Sequence, residues 1–252
     1  MNVNAKIDWH AGMELTAQTF IELDNSLARN QQITHRISNG SHFGIIPAAP
    51  FHCQGGFVKK TLEITPLTFM ALMPSGKILH VDDDIVVDIP ILYGKEYYLG
   101  CKQSDKVRAF DKERVPFVCP EPLCGIYTLE ELEAGDILPL MKFKVNEGMF
   151  SIDMDYMPPY LILESDNRFQ DYIQKLIEKV TVLAEHPNLE SGEGKRGLIR
   201  YAFLLKNYNP QNRVQHFIEL LHEIAQAVDY YIVGPHTEKK VEWKVYSPYD
   251  VA

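Results

Sequence analysis

The spacing of apolar residues changes near residue 165, and this change constrains the fold more than any other feature of the sequence. Before it, short runs rich in β-branched and aromatic residues alternate with turn residues, which is typical of antiparallel strands. After it, apolar residues recur every three or four positions, which is typical of helices. We therefore expect two domains, a mainly β domain over residues 1–165 and a helical domain over residues 166–252.

The β domain is predicted to hold six short strands. These are His42–Ile46, Gly56–Ile64, Lys77–Val81, Ile85–Ile89, Glu96–Lys102 and Ile137–Val145. Pro and Gly at the turns predict two hairpins, over Phe69–Val81 and Leu138–Asp153. Many short strands at this spacing favour an antiparallel β-sandwich or barrel.

One helix is predicted ahead of the strands. The stretch Glu14–Asn39 contains neither Gly nor Pro, and Phe20, Leu23 and Leu27 share one helical face within it. Thr16 is a possible N-cap.

The helical domain carries apolar seams, which are rows of residues spaced alternately three and four apart. The first seam is Phe169, Ile173, Leu176, Val180 and Leu183; the last is Val214, Phe217, Leu221, Ile224, Val228 and Tyr231; between them lie Leu198, Tyr201, Leu205 and Tyr208. This spacing holds a narrow stripe against a partner helix, either within one chain or between protomers. We expect self-association through the first and last seams, because a thin helical layer is more stable when the seams of several copies meet. The final segment, Lys240–Tyr246, alternates polar and apolar residues and predicts an edge strand.

The charge balance excludes several classes of partner. The chain has 252 residues with 25 Lys and Arg against 34 Asp and Glu, so its net charge is −9. Such a surface repels nucleic acid and anionic lipid, and no cluster of basic residues reverses this locally. No apolar run reaches the length of a membrane span, and the first residues do not resemble a signal peptide. With few cysteines, the sequence indicates a cytoplasmic protein.

The sequence shows no pattern that would hold a metal, a cofactor or a catalytic group. Cys119 and Cys124 lack the second pair that structural zinc needs, so the cysteines are interpreted as small buried apolar residues. Asp82–Asp84 lacks the spacing of a calcium loop and is interpreted as a solvated turn. Gly192–Lys195 lacks the remaining residues of a phosphate loop. We therefore predict that the chain is not an enzyme.

A binding module of another class remains an alternative. Tyr93, Tyr97 and Tyr98 lie close together in the sequence, and exposed tyrosines could stack on sugars. The alternative hypothesis is thus a carbohydrate- or receptor-binding β-sandwich from a phage-like assembly. Packing in the core or at an interface is the competing use of these rings.

Two stretches of the sequence carry distinctive motifs. The first runs from Trp9 to Phe20 and contains Trp9, Gly12, Met13, Leu15, Gln18 and Phe20; the second runs from Leu138 to Leu161 and ends with Pro158, Pro159 and Leu161. Together these motifs resemble the type VI secretion baseplate family TssK. Ala17 and Thr19 stand where the family usually has Pro and His.

The resemblance implies a non-enzymatic homotrimer. It implies a β-sandwich shoulder that docks on the baseplate wedge proteins TssF and TssG, followed by a helical neck. Family members continue into a C-terminal head that reaches the membrane complex, whereas this chain ends soon after its last helical seam. We therefore expect shoulder and neck only, without a carried-over contact to the membrane complex and without insertion into a membrane.

Overall fold

The structure is a computed structural model that describes residues 13–48, 51–58, 61–89, 96–112, 115–146, 149–187, 189 and 192–233. Within these residues the chain forms five α-helices and eight strands. The helices are α1 (Ala17–Asn39), α2 (Leu129–Ala134), α3 (Arg168–Leu183), α4 (Gly192–Lys206) and α5 (Val214–Val228). The strands are β1 (Gly44–Ile46), β2 (His52–Val58), β3 (Thr61–Leu72), β4 (Ile78–Asp88), β5 (Glu96–Lys112), β6 (Val115–Tyr127), β7 (Leu138–Asn146) and β8 (Met149–Ile152).

The strands form two antiparallel sheets of four. In the first sheet the long β3 pairs with β4 along one side and with β1 and β2 along the other. In the second sheet the order is β6-β5-β7-β8. The predicted hairpins over Phe69–Val81 and Leu138–Asp153 are both confirmed as β3–β4 and β7–β8. At the first of these turns Gly76 has φ +84° and donates its backbone N–H to the carbonyl oxygen of Met73 at 2.8 Å.

In the described residues the main apolar core lies between the sheets, as expected of a β-sandwich, and a smaller second cluster consists of Tyr98, Leu132, Ile137 and Tyr156. Buried side chains alternate with exposed ones along β3 and β4, which is the pattern of strands with one face covered. Phe57 of β2 bridges the sheets, because its ring contacts Phe143 at 5.5 Å and Phe150 at 5.4 Å between centroids. The core continues into the helices through Tyr160, whose ring lies 5.5 Å from that of Phe169.

The helices α3, α4 and α5 follow the sandwich and pack together as a bundle. α4 packs against both α3 and α5. Helix α1 precedes the sandwich and begins with the predicted cap. The Thr16 side chain accepts a hydrogen bond from the backbone N–H of Thr19, and the Thr19 side chain accepts one from the backbone N–H of Thr16. The predicted helix over Glu14–Asn39 and its cap are confirmed.

Several predicted elements differ from the structure. Gly56–Ile64 was expected as one strand but spans the end of β2 and the start of β3. Lys77–Val81 and Ile85–Ile89 belong to one continuous strand, β4, so the predicted turn at Asp82–Asp84 is wrong. These aspartates lie within a paired strand, where the Thr68 hydroxyl donates to Asp82 at 3.0 Å. The predicted strand over Lys240–Tyr246 lies outside the described residues.

Candidate functional site

The seams predicted for self-association lie in the helical bundle. Five of their residues are buried within the single chain and the other six are half-buried, all of these except Tyr231 against the same core. The buried ones are Phe169, Val180, Val214, Phe217 and Ile224, and the half-buried ones are Ile173, Leu176, Leu183, Leu221, Val228 and Tyr231. Much of each seam therefore packs against helices of its own chain.

One part of these seams stays open between helices α3 and α5. It is an apolar groove of about 360 Å³ lined by Phe169, Tyr172, Lys175, Leu176, Lys179, Phe217 and Leu221. Two lysines, Lys175 and Lys179, edge the groove, and the Lys175 ammonium lies 5.9 Å from the centre of the Tyr172 ring. We call this the α3–α5 groove. The groove is an uncovered apolar surface of the bundle, and it is lined by residues from both the first and the last seam.

Two glycines of α4 allow the Tyr231 ring to pack closely against this helix. Gly194 and Gly197 lie on α4 against the ring of Tyr231, and a Cβ at Gly194 would come within 3.1 Å of that ring. A Cβ at Gly194 would also lie 2.8 Å from Cδ2 of Leu189, so a side chain there would require its neighbours to shift. The Gly192–Lys195 segment is thus the first turn of a packed helix.

A polar cluster ties the sandwich to the bundle at residues 160–168. The Tyr160 hydroxyl donates to the Asp166 carboxylate, and Arg168 donates to the same carboxylate from Nε at 2.9 Å and Nη2 at 2.7 Å. We call these three residues the joint. Burial alone would raise the pKa of Asp166, but the hydrogen bonds from Arg168 and Tyr160 outweigh it and lower that pKa. Burial and the Asp166 charge raise the pKa of Tyr160, so its hydroxyl stays protonated and donates.

Backbone contacts align the joint with the first sheet. Ile45 donates its N–H to the Pro159 carbonyl at 2.8 Å and accepts from Leu161 at 2.9 Å. Gly44 has φ +144°, and a Cβ there would lie 2.5 Å from the Pro159 carbonyl oxygen. Only glycine fits this close approach. The second family-like stretch, with Pro158 and Pro159 buried and Leu161 half-buried, is therefore the segment that connects sandwich and bundle.

The first family-like stretch lies partly outside the described residues, since Trp9 and Gly12 precede Met13. Met13 is half-buried, whereas Leu15, Gln18 and Phe20 are exposed at the start of α1. Phe20, Leu23 and Leu27, which the sequence places on one face of α1, have the same three-and-four spacing as the bundle seams. Phe20 and Leu27 are exposed and Leu23 is half-buried.

Tyr97 and Tyr98 of the alternative hypothesis do not form an exposed platform. Tyr97 and Tyr98 are buried, with Tyr98 packed edge-on to Tyr156 at 5.8 Å between ring centroids, and Tyr93 lies outside the described residues. The carbohydrate-binding interpretation of this pair is therefore wrong. Their use is packing within the sheet.

The cysteines of the described chain lie in the sandwich. Cys101 is buried, and the Cys124 thiol donates to its sulfur at 3.0 Å. Burial raises the pKa of the Cys53 thiol to about 12, and the hydrogen bond from Cys124 together with burial raises that of Cys101. Such thiols stay protonated. Among the described residues no group of three or more His, Cys, Asp or Glu side chains is placed to hold a metal ion. No helix in the described part has the length and apolar character to cross a membrane.

Comparison with solved structures relates this architecture to a known protein. The chain superposes on a chain of the TssK–TssF–TssG baseplate subcomplex of the type VI secretion system with a TM-score of 0.66 at 12% identity, covering 98% of this chain and 93% of that one. The chain has the fold of TssK. A crystal structure of TssK matches with a TM-score of 0.64 at 12% identity, over 98% of this chain and 68% of that one.

TssK from the type VI system of EAEC, solved with a nanobody, matches with a TM-score of 0.62 at 13% identity, over 91% of this chain and 92% of that one. No protein-family model matches the sequence, and no curated protein matches it at a significant level. The TssK fold thus extends over sandwich and helices together. This confirms the expected β-sandwich followed by a helical neck.

Proposed function

We propose that the chain is a non-enzymatic structural subunit of a type VI secretion baseplate, built as a cytoplasmic homotrimer that docks on TssF- and TssG-like wedge proteins. The observation that carries the proposal is the match to the TssK fold over 98% of the chain, in a subcomplex that contains TssF and TssG. Residues 1–165 would form the docking shoulder and residues 166–252 the neck. The −9 net charge is consistent with protein partners rather than nucleic acid.

The α3–α5 groove supports self-association of the neck. Its apolar floor is formed by Phe169, Leu176, Phe217 and Leu221, which come from both predicted seams. Burying such side chains between protomers contributes roughly 1.5 to 3 kcal/mol each. Three copies around one axis would then present three shoulders, and weak docking contacts would be multiplied by avidity.

A first experiment tests the wedge contact. The full chain is co-expressed with the TssF and TssG proteins of the same organism and purified through a tag on TssG. We expect the chain to co-elute with both proteins in size-exclusion chromatography. A chain that elutes alone, while TssF and TssG form their own complex, would contradict the docking proposal.

A second experiment tests the neck. Leu221→Asp places a carboxylate in the α3–α5 groove, and we expect it to convert the trimer to monomer in light scattering. Glu219→Asp, on the exposed side of the same helix, is the matched control and should leave the mass unchanged. An unchanged trimer in Leu221→Asp, with circular dichroism showing a folded chain, would exclude the groove as the contact.

A further inference from the structure

Two cysteines lie directly opposite each other on strands β5 and β6. The register of this antiparallel pair sets Cys101 beside Cys124, and their sulfur atoms are 3.0 Å apart with both thiols free. Opposed residues of antiparallel strands have Cα atoms about 4.5 or 5.5 Å apart, and both separations lie within the range that disulfides span. A disulfide bond would bring the two sulfur atoms about 1 Å closer. The two strands therefore already have the spacing of a cross-strand disulfide.

The cysteine pair lies where β5 loses one of its two neighbours in the sheet. β5 pairs with β7 from Glu96 to Cys101, whereas its pairing with β6 continues to Lys112. Beyond the cysteines the two strands thus form a two-stranded ribbon, which we define as residues 102–112 and 115–123. Two paired strands are marginally stable without further packing, so a covalent link at the base of the ribbon would reduce its fraying.

Oxidants reach this pair through Cys124. The Cys124 side chain is half-buried, whereas that of Cys101 is fully buried. The hydrogen bond from Cys124 and burial raise the pKa of Cys101, so its thiol is protonated and a poor nucleophile at neutral pH. A small oxidant therefore reacts with Cys124 first, and Cys101 is the adjacent thiol that completes a disulfide.

A third thiol, that of Cys53, is the competing partner. Cys53 is half-buried on β2, and burial together with the nearby Cys124 raises its pKa. Strand pairing does not hold it at a fixed position beside Cys124, because β2 pairs with β3 in the first sheet and Cys124 belongs to the second. Cys101 is thus the better placed of the two, and Cys53 serves as a matched control.

We propose that Cys101 and Cys124 are a reversible oxidation site, at which a peroxide joins β5 to β6 through a disulfide. The reducing conditions of a cytoplasm keep the pair as two thiols, and oxidative conditions convert it. The disulfide fastens the ribbon to the sandwich at its base, and glutathione or another thiol reduces it again. The site lies within the sandwich, so it is independent of the baseplate role.

The reaction balances with hydrogen peroxide as the oxidant. The Cys124 sulfur attacks one peroxide oxygen, the O–O bond breaks, and the products are a sulfenic acid on Cys124 and one water. The Cys101 sulfur then displaces the hydroxyl group of the sulfenic acid, which forms the S–S bond and releases a second water. Two thiols thus lose two electrons and two protons, and the peroxide takes them up to form two waters.

Mapping the oxidised thiols tests the site. The full chain is treated with hydrogen peroxide at neutral pH, the peroxide is removed with catalase, and free thiols are labelled with iodoacetamide in denaturant. We expect two of the four cysteines to escape labelling and one disulfide to join Cys101 to Cys124, with fragmentation of the linked peptides distinguishing Cys124 from Cys119. Dithiothreitol should restore labelling at both sites.

Cys124→Ser and Cys53→Ser are matched variants. Both remove a half-buried thiol of the sandwich, but only Cys124 lies opposite Cys101. We expect peroxide to raise the melting temperature of the wild type and of Cys53→Ser by about 5 to 10 °C, and to leave that of Cys124→Ser unchanged. Amide hydrogen exchange of the ribbon should slow in the first two proteins. If Cys124→Ser does not fold, Cys124→Ala takes its place, and the disulfide map of the wild type decides by itself.

Several outcomes would overturn the oxidation site. A disulfide that joins Cys53 to Cys124 would show that packing across the core, and not the strand register, selects the partner. Cys124 oxidised to sulfinic acid beside a free Cys101 thiol, or four free thiols after the treatment, would show that the pair forms no disulfide. Equal rises in the melting temperature of both variants would exclude the link at the ribbon. Each of these results leaves the wedge and neck contacts untouched, and failure of the wedge co-elution would leave the oxidation site untouched.

Discussion

Helices α1 and α5 carry apolar residues at the same three-and-four spacing, yet the chain uses the two rows differently. In α5 the residues Val214, Phe217 and Ile224 are buried against the chain's own helices, whereas in α1 no residue is buried. The spacing predicts that a partner exists, but only the tertiary structure shows whether that partner belongs to the same chain. The predicted interface seams are therefore largely internal, and the uncovered row lies on the helix that was not assigned to an interface.

The largest difference between the two rows should appear in the stability of the single chain. Val180 on α3 is 1% exposed, so Val180→Asp places an unpaired carboxylate in the bundle core. We expect a loss of about 3 to 5 kcal/mol in the free energy of unfolding, measured by urea denaturation.

Leu27→Asp on α1 is the matched substitution. We expect it to change that free energy by within about 0.5 kcal/mol at a concentration where copies are dissociated, because the Leu27 side chain is already exposed. If both variants lost the same stability, the contrast between an internal and an external row would be wrong.

The connection between sandwich and bundle offers a second test. Gly44 and Gly40 both have positive φ, but a Cβ at Gly44 would collide with the Pro159 backbone while one at Gly40 meets nothing within 4 Å. We expect Gly44→Ala to lower the free energy of unfolding by about 2 to 3 kcal/mol and Gly40→Ala by about 1 kcal/mol. Equal losses in thermal unfolding would show that the close approach of Gly44 to Pro159 contributes nothing beyond backbone strain.

A smaller effect is expected at the joint. Asp166→Asn removes the charge that accepts hydrogen bonds from Arg168 and Tyr160, and we expect a loss of about 1 to 2 kcal/mol at neutral pH because the site is only partly buried. The folded-state pKa of Asp166 is lowered, so its contribution is present above the unfolded pKa of about 3.9 and is lost as the pH falls through the folded-state value.

The pH dependence provides the readout for this variant. The melting temperatures of wild type and Asp166→Asn should differ at neutral pH and converge in acid, below the unfolded pKa of the carboxyl group. A difference that stays constant across this range would mean that the Asp166 charge does not stabilise the joint.

Local patterns predicted much of the fold. Helix α1 and its Thr16 cap and the two hairpins follow from spacing, capping and turn residues. Strand β6 was missed because Pro116, Pro120 and Pro122 argue against a strand. The structure resolves this conflict, since β6 lies at the edge of its sheet, the position where strands tolerate proline.

The candidate surfaces were less predictable because they depend on distant parts of the chain. The α3–α5 groove forms from residues on two helices whose separation no sequence period specifies. The joint depends on Ile45 and Pro159, which are far apart in sequence but share a hydrogen bond. Likewise, Phe20, Leu27 and Ile37 of α1 stay exposed. The helix contacts the rest of the chain through polar groups, with His35 beside the Gly76 carbonyl oxygen and Arg213 donating to the Ser38 carbonyl oxygen.

The mass of the wild-type protein in solution tests the central claim, that this chain is a self-associating structural subunit. Mass measurement by light scattering, over concentrations up to tens of micromolar, requires no partner and no variant. The account predicts a species of three times the 28.9 kDa of one chain. A chain that remains at 28.9 kDa throughout would contradict the proposed neck contact.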